Sequence, residues 1–134
     1  MKIGIDIGGS HIAIAKVEEN KIIDKKEYNY DEKFKEEIRK NIVEYIKKEV
    51  SEIIEKEKIE KVGISIAGRL RENVLYISPN LKQLEGINFV EILEPYFKIP
   101  VTVNKDSFCA GKAEKVYGCL KNYNTAVFLI IGTG

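Results

Sequence analysis

Residues 3–7 alternate isoleucine with glycine or aspartate, and this two-residue period is that of a β-strand. Asp6 therefore lies on the face opposite to the isoleucines. A second alternating stretch follows over residues 12–17, after a pair of glycines, so the start of the chain predicts a β-hairpin with a glycine turn. Residues 20–30 predict a third strand, and their lysines favour the edge of a sheet.

The next segment changes to apolar positions spaced three or four residues apart. This spacing predicts one long amphipathic helix over residues 31–58, with Asp31 as its N-cap. The apolar stripe of the helix consists of Phe34, Ile38, Ile42, Ile46, Val50 and Ile53.

Strands and helices alternate over the rest of the chain. Three meandering strands followed by such alternation predict an α/β fold, with a mixed sheet and helices on both of its faces. The predicted elements are a buried strand over 61–68, a small hairpin or ordered loop over 69–80 turning at Glu72 and Asn73, a helix over 88–97 capped by Asn88, a strand over 99–104, a helix over 106–118 and a buried strand over 125–134.

Composition narrows the classes of function. A chain of 134 residues with 44% hydrophobic residues fits one folded domain. Its 22 basic and 21 acidic residues give a net charge of +1, which offers no electrostatic basis for binding nucleic acid or an anionic membrane. No apolar run reaches the length of a membrane span and no signal-peptide pattern precedes the first strand, so we expect a cytoplasmic protein. Cys109 and Cys119 lack metal-ligand spacing and are predicted to be core thiols.

The glycine turn after the first strand has two interpretations. It is a plain hairpin turn, or it binds phosphate, since Gly8 and Gly9 let the backbone approach an anion closely and Ser10 adds a hydroxyl donor. Asp6, just before the turn, is placed to hold a hydrated Mg²⁺ facing that phosphate. The turn alone does not decide between the two.

Asp106 stands where a predicted strand gives way to a helix. In a mixed α/β sheet, ligands gather at the carboxyl ends of the strands. A carboxylate there can accept the proton of a substrate hydroxyl as that hydroxyl attacks a phosphoryl group. The alternative is that Asp106 is only the N-cap of the helix.

Five motifs occur in order along the whole chain: "DIGGS", "VGISIAGR", "SPNL", "IPVTVNKDSFCAGKAEKVYG" and "IIGTG". Together they resemble the nucleotide-binding, N-terminal half of the ROK-family sugar kinases. That family belongs to the superfamily of actin, hexokinase and the Hsp70 ATPase, so the resemblance implies a ribonuclease H-like fold.

The resemblance also implies roles for individual residues. The implied reaction transfers the γ-phosphoryl group of ATP to a hydroxyl of a hexose or an N-acylated amino sugar, with ATP and Mg²⁺ as cofactors. Asp6 would position Mg²⁺ through water, and Asp106 would be the general base. Phosphate contacts are implied for Gly8, Gly9, Ser10, Gly132, Thr133 and Gly134. Sugar contacts are implied for Gly68, Arg69, Asn80 and Lys105.

The chain departs from the family pattern in two respects. Lys105 stands where relatives usually carry an asparagine that binds a sugar hydroxyl, and Phe108 replaces a second asparagine. The family's second lobe would follow "GTG". We therefore expect residues 1–124 to form the first lobe and residues 125–134 to begin the second, and the isolated chain to be inactive. We expect the chain to be a fragment of a kinase, a domain cut from one, or the product of a truncated reading frame.

Three other functions remain open. The chain could be a non-catalytic sugar- or nucleotide-binding domain, or a truncated remnant of a ROK protein. ROK repressors carry a winged helix before the first phosphate loop. Here the loop begins at residue 4 and the chain is not basic, so the sequence does not favour a repressor. An unrelated α/β domain with simple glycine turns is the remaining alternative. Because relatives are commonly dimers, a homodimer is also expected.

Overall fold

A five-stranded mixed sheet forms the centre of the computed structural model, which describes residues 1–130. The strands are β1 (Lys2–Ile7), β2 (His11–Glu18), β3 (Lys21–Asn29), β4 (Lys61–Ile66), β5 (Arg69–Arg71), β6 (Val74–Ile77) and β7 (Val101–Lys105). The strand order in the sheet is β3-β2-β1-β4-β7, with β1, β4 and β7 parallel to one another and β2 antiparallel to both of its neighbours. The predicted mixed sheet, the edge position of β3 and the central position of β4 are confirmed.

The helices are α1 (Glu32–Glu36), α2 (Ile38–Ile54), α3 (Phe89–Phe97) and α4 (Asp106–Tyr117), with a short 3-10 turn at Lys82–Leu84. The predicted helices α3 and α4 are confirmed. The predicted cap of α3 is confirmed as well, because the Asn88 side chain accepts hydrogen bonds from two α3 backbone N–H groups.

The prediction of one long helix over residues 31–58 is wrong at Glu37, where a non-helical backbone (φ −123°, ψ 41°) separates α1 from α2. Asp31 caps α1 as predicted, since its Oδ1 accepts a hydrogen bond of 2.7 Å from the Phe34 N–H. The Asn41 side chain compensates for the break, because its Nδ2 donates to the Phe34 carbonyl at 2.9 Å. The spacing of the apolar residues continues across this break, so the sequence pattern does not reveal that the helix is interrupted.

The isoleucine face of the sheet holds the hydrophobic core. The three isoleucines of β1 are no more than 2% exposed, and α2 and α3 cover this face. The α2 residues that reach the core are Ile38, Ile42, Ile46 and Val50, as the predicted stripe requires.

The opposite face of the sheet carries small or polar residues. From β1, β4 and β7 these residues are Gly4, Asp6, Gly63, Ser65, Thr102 and Asn104. Helix α4 packs over part of this face through Cys109, Ala110 and Ala113. Helices on both faces are therefore confirmed, although the two faces are covered to different extents.

The predicted strand over residues 125–134 is wrong for residues 125–130, which form no strand and are exposed. Val127 is 92% exposed and Leu129 is 74% exposed. This segment pairs with no strand of the described chain, so its backbone lacks the ladder partners that a strand needs. Residues 131–134 lie outside the described residues.

Two further sequence expectations concern cysteines and membranes. Cys109 is partly buried, but Cys119 is exposed, so the prediction of two core thiols is wrong for Cys119. It lies just beyond α4, where no apolar layer covers it. None of the helices within residues 1–130 combines the length and the apolar character needed to cross a bilayer.

Candidate functional site

The motifs singled out in the sequence come together at one edge of the sheet. Because β1, β4 and β7 are parallel, their carboxyl ends lie side by side, with Ile7 opposite Ile66 and Ile66 opposite Lys105. The glycine turn follows β1, the Gly68 loop follows β4, and Asp106 follows β7. The motifs thus lie at the carboxyl ends of adjacent parallel strands, where ligands of α/β sheets gather.

The Gly8–Ser10 turn is held by backbone hydrogen bonds. The Gly8 N–H donates to the His11 carbonyl at 3.0 Å, and the Tyr30 N–H donates to the Ser10 carbonyl at 2.9 Å. The Ser10 hydroxyl also lies 3.4 Å from Nδ1 of His11. The turn is thus a fixed β1–β2 connection, and that rigidity suits both a plain turn and an anion-binding turn.

Asn80 of the "SPNL" motif packs directly against this turn. A Cβ atom added to Gly9 would lie 2.9 Å from the Cβ of Asn80, which is closer than real Cβ contacts allow. Only glycine therefore lets the two segments approach this closely. The contact places Asn80 beside the candidate phosphate turn.

The Gly68 loop is fitted equally tightly to the small hairpin of β5 and β6. Gly68 has φ +147°, a conformation that favours glycine, and a Cβ there would lie 2.6 Å from the Ile77 carbonyl oxygen. The hairpin turns at Glu72 and Asn73, both with positive φ, as predicted.

Ser78 connects the Gly68 loop to the "SPNL" segment, and sequence reasoning missed it. Its side chain is fully buried, and its hydroxyl donates to the Ala67 carbonyl at 2.6 Å. Its backbone N–H donates to Oε1 of Glu85 at 2.9 Å. Serine in a loop carries no sequence signal that distinguishes such a bridge from an exposed polar residue.

A groove of about 740 Å³ runs between α4 and the polar face of the sheet. Asp6 and Asp106 both line it, so two carboxylates from different strand ends face the same space. Sequence reasoning did not select Ser65 and Asn104, which also line this groove. The two-residue alternation of β4 and β7 is the signal that could have identified them.

Asp106 is the first residue of α4 rather than its N-cap, a position taken by Lys105 without a side-chain hydrogen bond. Oδ1 of Asp106 accepts a hydrogen bond of 2.7 Å from the Ser107 N–H. This contact orients the carboxylate at the N-terminus of α4.

The Cys109 thiol lies within electrostatic range of both carboxylates. Burial raises the pKa of Cys109 most strongly, a hydrogen bond with Ser65 lowers it, and the charges of Asp6 and Asp106 raise it further. The thiol is therefore protonated at neutral pH and serves as a small, weakly polar wall of the groove.

The two cationic side chains predicted to contact the sugar lie at the same sheet edge but do not line the groove. Arg69 begins β5 just beyond the end of β4, and Lys105 ends β7. Both are exposed, and neither forms a salt bridge within the described chain. Lys105 and Asn104 face opposite sides of β7, as strand alternation predicts.

The residues at this edge fit a nucleotide with Mg²⁺. Mg²⁺ prefers oxygen ligands and keeps several waters, and the carboxylate of Asp6 supplies such an oxygen at the groove. Glycines at positions 8 and 9 give an anion access to the backbone. The predicted second phosphate contact, formed by Gly132, Thr133 and Gly134, lies outside the described residues.

Comparison with known proteins gives a consistent result. The model of the ROK family matches residues 2–134. An uncharacterized protein of Clostridium perfringens is 28% identical over 133 residues, which cover 97% of this chain and 44% of that protein.

Solved structures share the fold. The ROK family glucokinase of Streptomyces griseus, in complex with glucose and AMPPNP, is 25% identical with a TM-score of 0.75, over 90% of this chain and 38% of that one. A ROK family transcriptional regulator, a homolog of the E. coli MLC protein, is 13% identical with a TM-score of 0.72, over 87% and 30% of the two chains. The chain thus spans less than half the length of the relatives it matches.

Proposed function

The chain belongs to the ROK family, and from this membership we propose that it is the N-terminal, nucleotide-binding part of an ATP-dependent sugar kinase. The observation that carries the proposal is the groove that Asp6 and Asp106 share at the carboxyl ends of β1 and β7. The hydrogen-bonded glycine turn follows β1 directly beside Asp6. Phosphoryl transfer needs positioning and charge stabilisation more than covalent chemistry, and these groups are suited to both.

In the proposed mechanism, Asp106 accepts the proton of a sugar hydroxyl as the hydroxyl oxygen attacks the γ-phosphorus of ATP. The bond from the γ-phosphorus to the bridging oxygen of ADP breaks, and ADP leaves. Asp6 would hold the waters of Mg²⁺, and the turn of Gly8, Gly9 and Ser10 would face the nucleotide phosphates. When bound, Mg²⁺ neutralises the charge that develops on the phosphate oxygens. Gly132–Gly134 form the second phosphate contact in this proposal.

The sugar is proposed to lie along the loops beyond β4 and β7. Gly68 and Arg69 follow β4, Lys105 ends β7, and Asn80 touches the phosphate turn at Gly9. A substrate held by these residues would have a hydroxyl close to Asp106. The proposed substrates are a hexose or an N-acylated amino sugar, and a cleft closed by a second lobe would exclude water from the reaction.

A second candidate function is sugar or nucleotide binding without catalysis. The structural likeness to a ROK transcriptional regulator favours it, because the same fold occurs in a protein described as a regulator. A truncated remnant of a ROK protein would behave in the same way. The division at residue 124, a cytoplasmic location and a homodimer stay predictions.

Nucleotide binding can be tested on the chain by thermal unfolding with and without Mg-ATP. We expect saturating Mg-ATP to raise the Tm of the unaltered chain and of the Asp106→Asn variant, since a ligand that binds the folded state stabilises it. Asp6→Asn should lose most of this shift, whereas the control Asp24→Asn, on the exposed edge strand β3, should keep it. A chain whose Tm does not respond to Mg-ATP would contradict the nucleotide-binding role.

Catalysis is tested by sugar-dependent ADP release from the full polypeptide that the gene encodes. A panel of hexoses and N-acylated amino sugars should reveal at least one acceptor. Asp106→Asn should then lower kcat by about 10²–10⁴-fold, the usual contribution of a general base. Nucleotide binding without sugar-dependent turnover in the unaltered protein would favour the non-catalytic alternative.

A further inference from the structure

The Gly68 loop, residues 67–68, joins β4 to β5 and leads directly into Arg69. Glycine has the freest backbone of all residues, so the place of the proposed sugar contacts at Gly68 and Arg69 depends on what holds this loop. The start of the loop is fixed to β1, because the Ala67 N–H donates to the Ile7 carbonyl at 3.1 Å. The Ala67 carbonyl has a different partner, which lies just after β6.

That partner is Ser78. Its hydroxyl donates to the Ala67 carbonyl at 2.6 Å, and its side chain is fully buried. Its Cβ also lies against Gly68, since a Cβ added to that glycine would be only 3.0 Å away. Alanine would fill the same space without holding the Ala67 carbonyl, which would then lack this donor. Ser78 therefore contacts the Gly68 loop both by a hydrogen bond and by packing.

Glu85 holds Ser78 in turn. Oε1 of Glu85 accepts a hydrogen bond of 2.9 Å from the Ser78 N–H. The Glu85 carbonyl accepts another, also of 2.9 Å, from a guanidinium nitrogen of Arg39 in α2. Because α2 packs on the hydrophobic core, Glu85 links Ser78 to a helix that the core holds in place. The hydrogen bonds thus form a continuous path from α2 to the Gly68 loop.

The segment after Ser78 also touches the candidate phosphate turn. Asn80 lies two residues further on, and it approaches Gly9 so closely that no Cβ fits on that glycine. The Leu81 N–H donates to the Ser78 carbonyl at 3.2 Å, which closes a tight turn around Asn80. Ser78 is therefore placed to set the positions of both Asn80 and Gly68, two of the residues that are proposed to contact the sugar.

We propose that Ser78 and Glu85 are positioning residues for the sugar, because they hold the Gly68 loop and Asn80 in the arrangement that binds it. Neither residue has to touch the sugar itself. This inference rests on the proposed function, since it concerns the same site. The candidate phosphate turn has backbone hydrogen bonds of its own, so the effect of Ser78 and Glu85 falls on the sugar rather than on the nucleotide.

The first test compares Michaelis constants in the full polypeptide, with ADP release measured for each hexose and N-acylated amino sugar of the panel. Ser78→Ala removes one oxygen atom and should fold. It should raise the KM for the accepted sugar about tenfold, the change expected for one lost hydrogen bond. The kcat and the KM for ATP should stay within about twofold, because a loss of uniform binding raises the KM of that substrate alone.

Glu85 supplies a second pair of variants, and its side chain is only partly buried, so both should fold. Glu85→Gln keeps an acceptor oxygen for the Ser78 N–H and should keep the sugar KM of the unaltered protein, whereas Glu85→Ala should raise it. Ser78→Ala combined with Glu85→Ala should raise the KM no further than the larger single effect, because the two residues act in one path. The serine control is Ser51→Ala in α2, which should leave the sugar KM within about twofold.

Three results would contradict the inference. An unchanged sugar KM in Ser78→Ala and Glu85→Ala, or an equal rise in the KM values of sugar and ATP, would overturn the positioning role alone. Effects that multiply in the double variant would show that the two residues do not act in one path. An unaltered polypeptide without sugar-dependent ADP release would overturn the proposed function and this inference together.

Discussion

The two faces of the central sheet are built for different purposes. On one face, Ile3, Ile5 and Ile7 of β1 are sealed beneath α2 and α3. On the other face, the same strand presents Gly4 and Asp6 to an open groove of about 740 Å³. One strand therefore contributes to the core and to the candidate site through alternate residues.

The difference shows how the fold separates stability from chemistry. Burying an isoleucine side chain stabilises a protein by roughly 1.5–3 kcal/mol, whereas glycine, alanine and serine bury little apolar area. The sealed face therefore holds the sheet together, and the groove face is free to carry carboxylates and small residues. Substitutions on the two faces should differ sharply in their effects.

The largest expected loss of stability comes from the sealed face. Ile46→Ala removes a fully buried side chain of α2 and leaves a cavity, so we expect the free energy of unfolding to fall by about 2–5 kcal/mol. Urea denaturation measures the change. A loss below about 1 kcal/mol would mean that the α2 side of the sheet is not the main source of stability.

A smaller loss of stability is expected where the Gly68 loop contacts the hairpin of β5 and β6. Gly68→Ala adds a Cβ 2.6 Å from the Ile77 carbonyl oxygen at φ +147°, and we expect a cost of about 3 kcal/mol. Gly86→Ala is the matched control, because Gly86 has φ +84° but no atom within 4 Å of the added Cβ. It should lose only about 1 kcal/mol in the same urea experiment. Equal losses would show that backbone strain, rather than close approach, makes Gly68 necessary.

The aromatic residues at the end of β3 should make stability sensitive to alkaline pH. Burial raises the pKa values of Tyr28, Tyr30 and Tyr45 above those in the unfolded chain. A raised folded pKa gives stability that is complete below about pH 10, the ordinary pKa of tyrosine, and lost as pH rises further. Tyr30→Phe should therefore lose less stability between pH 9 and pH 11 than the unaltered chain, as followed by circular dichroism. Parallel pH curves would contradict the burial of Tyr30.

The smallest effect is expected on the groove face. An added Cβ at Gly4 meets no atom within 4 Å, so Gly4→Ala should change the free energy of unfolding by no more than about 1 kcal/mol, with stabilisation the expected direction. Ile5→Ala, one residue along the same strand, should cost about 2–5 kcal/mol. Comparable losses at the two positions would remove the distinction between the faces.

Much of this organisation could be predicted because it depends on local periodicity and on turn chemistry. The alternation of residues 3–7 predicted both the core isoleucines and the position of Asp6 on the opposite face. Positive φ at Glu72 and Asn73, and the Asn88 cap, follow from preferences of single residues.

What could not be predicted depends on contacts between distant segments. The helix break at Glu37 leaves the apolar period intact, and the fit of Gly9 against Asn80 joins residues 71 positions apart. Residues 125–130 have the composition of a buried strand, but a strand also requires a pairing partner, which composition cannot show. The functional roles of the site residues stay predictions for the same reason, since they depend on ligands.

The buried Ser78 bridge has a consequence for how this protein can diverge in sequence. Its hydroxyl joins the Ala67 carbonyl to the segment that carries Asn80, so the Gly68 loop and the "SPNL" segment are coupled in position. A substitution that shifts the Gly68 loop must therefore be matched by a change in the "SPNL" segment. Libraries designed to alter ligand preference should vary these two loops jointly, because changes confined to either loop would strain the other.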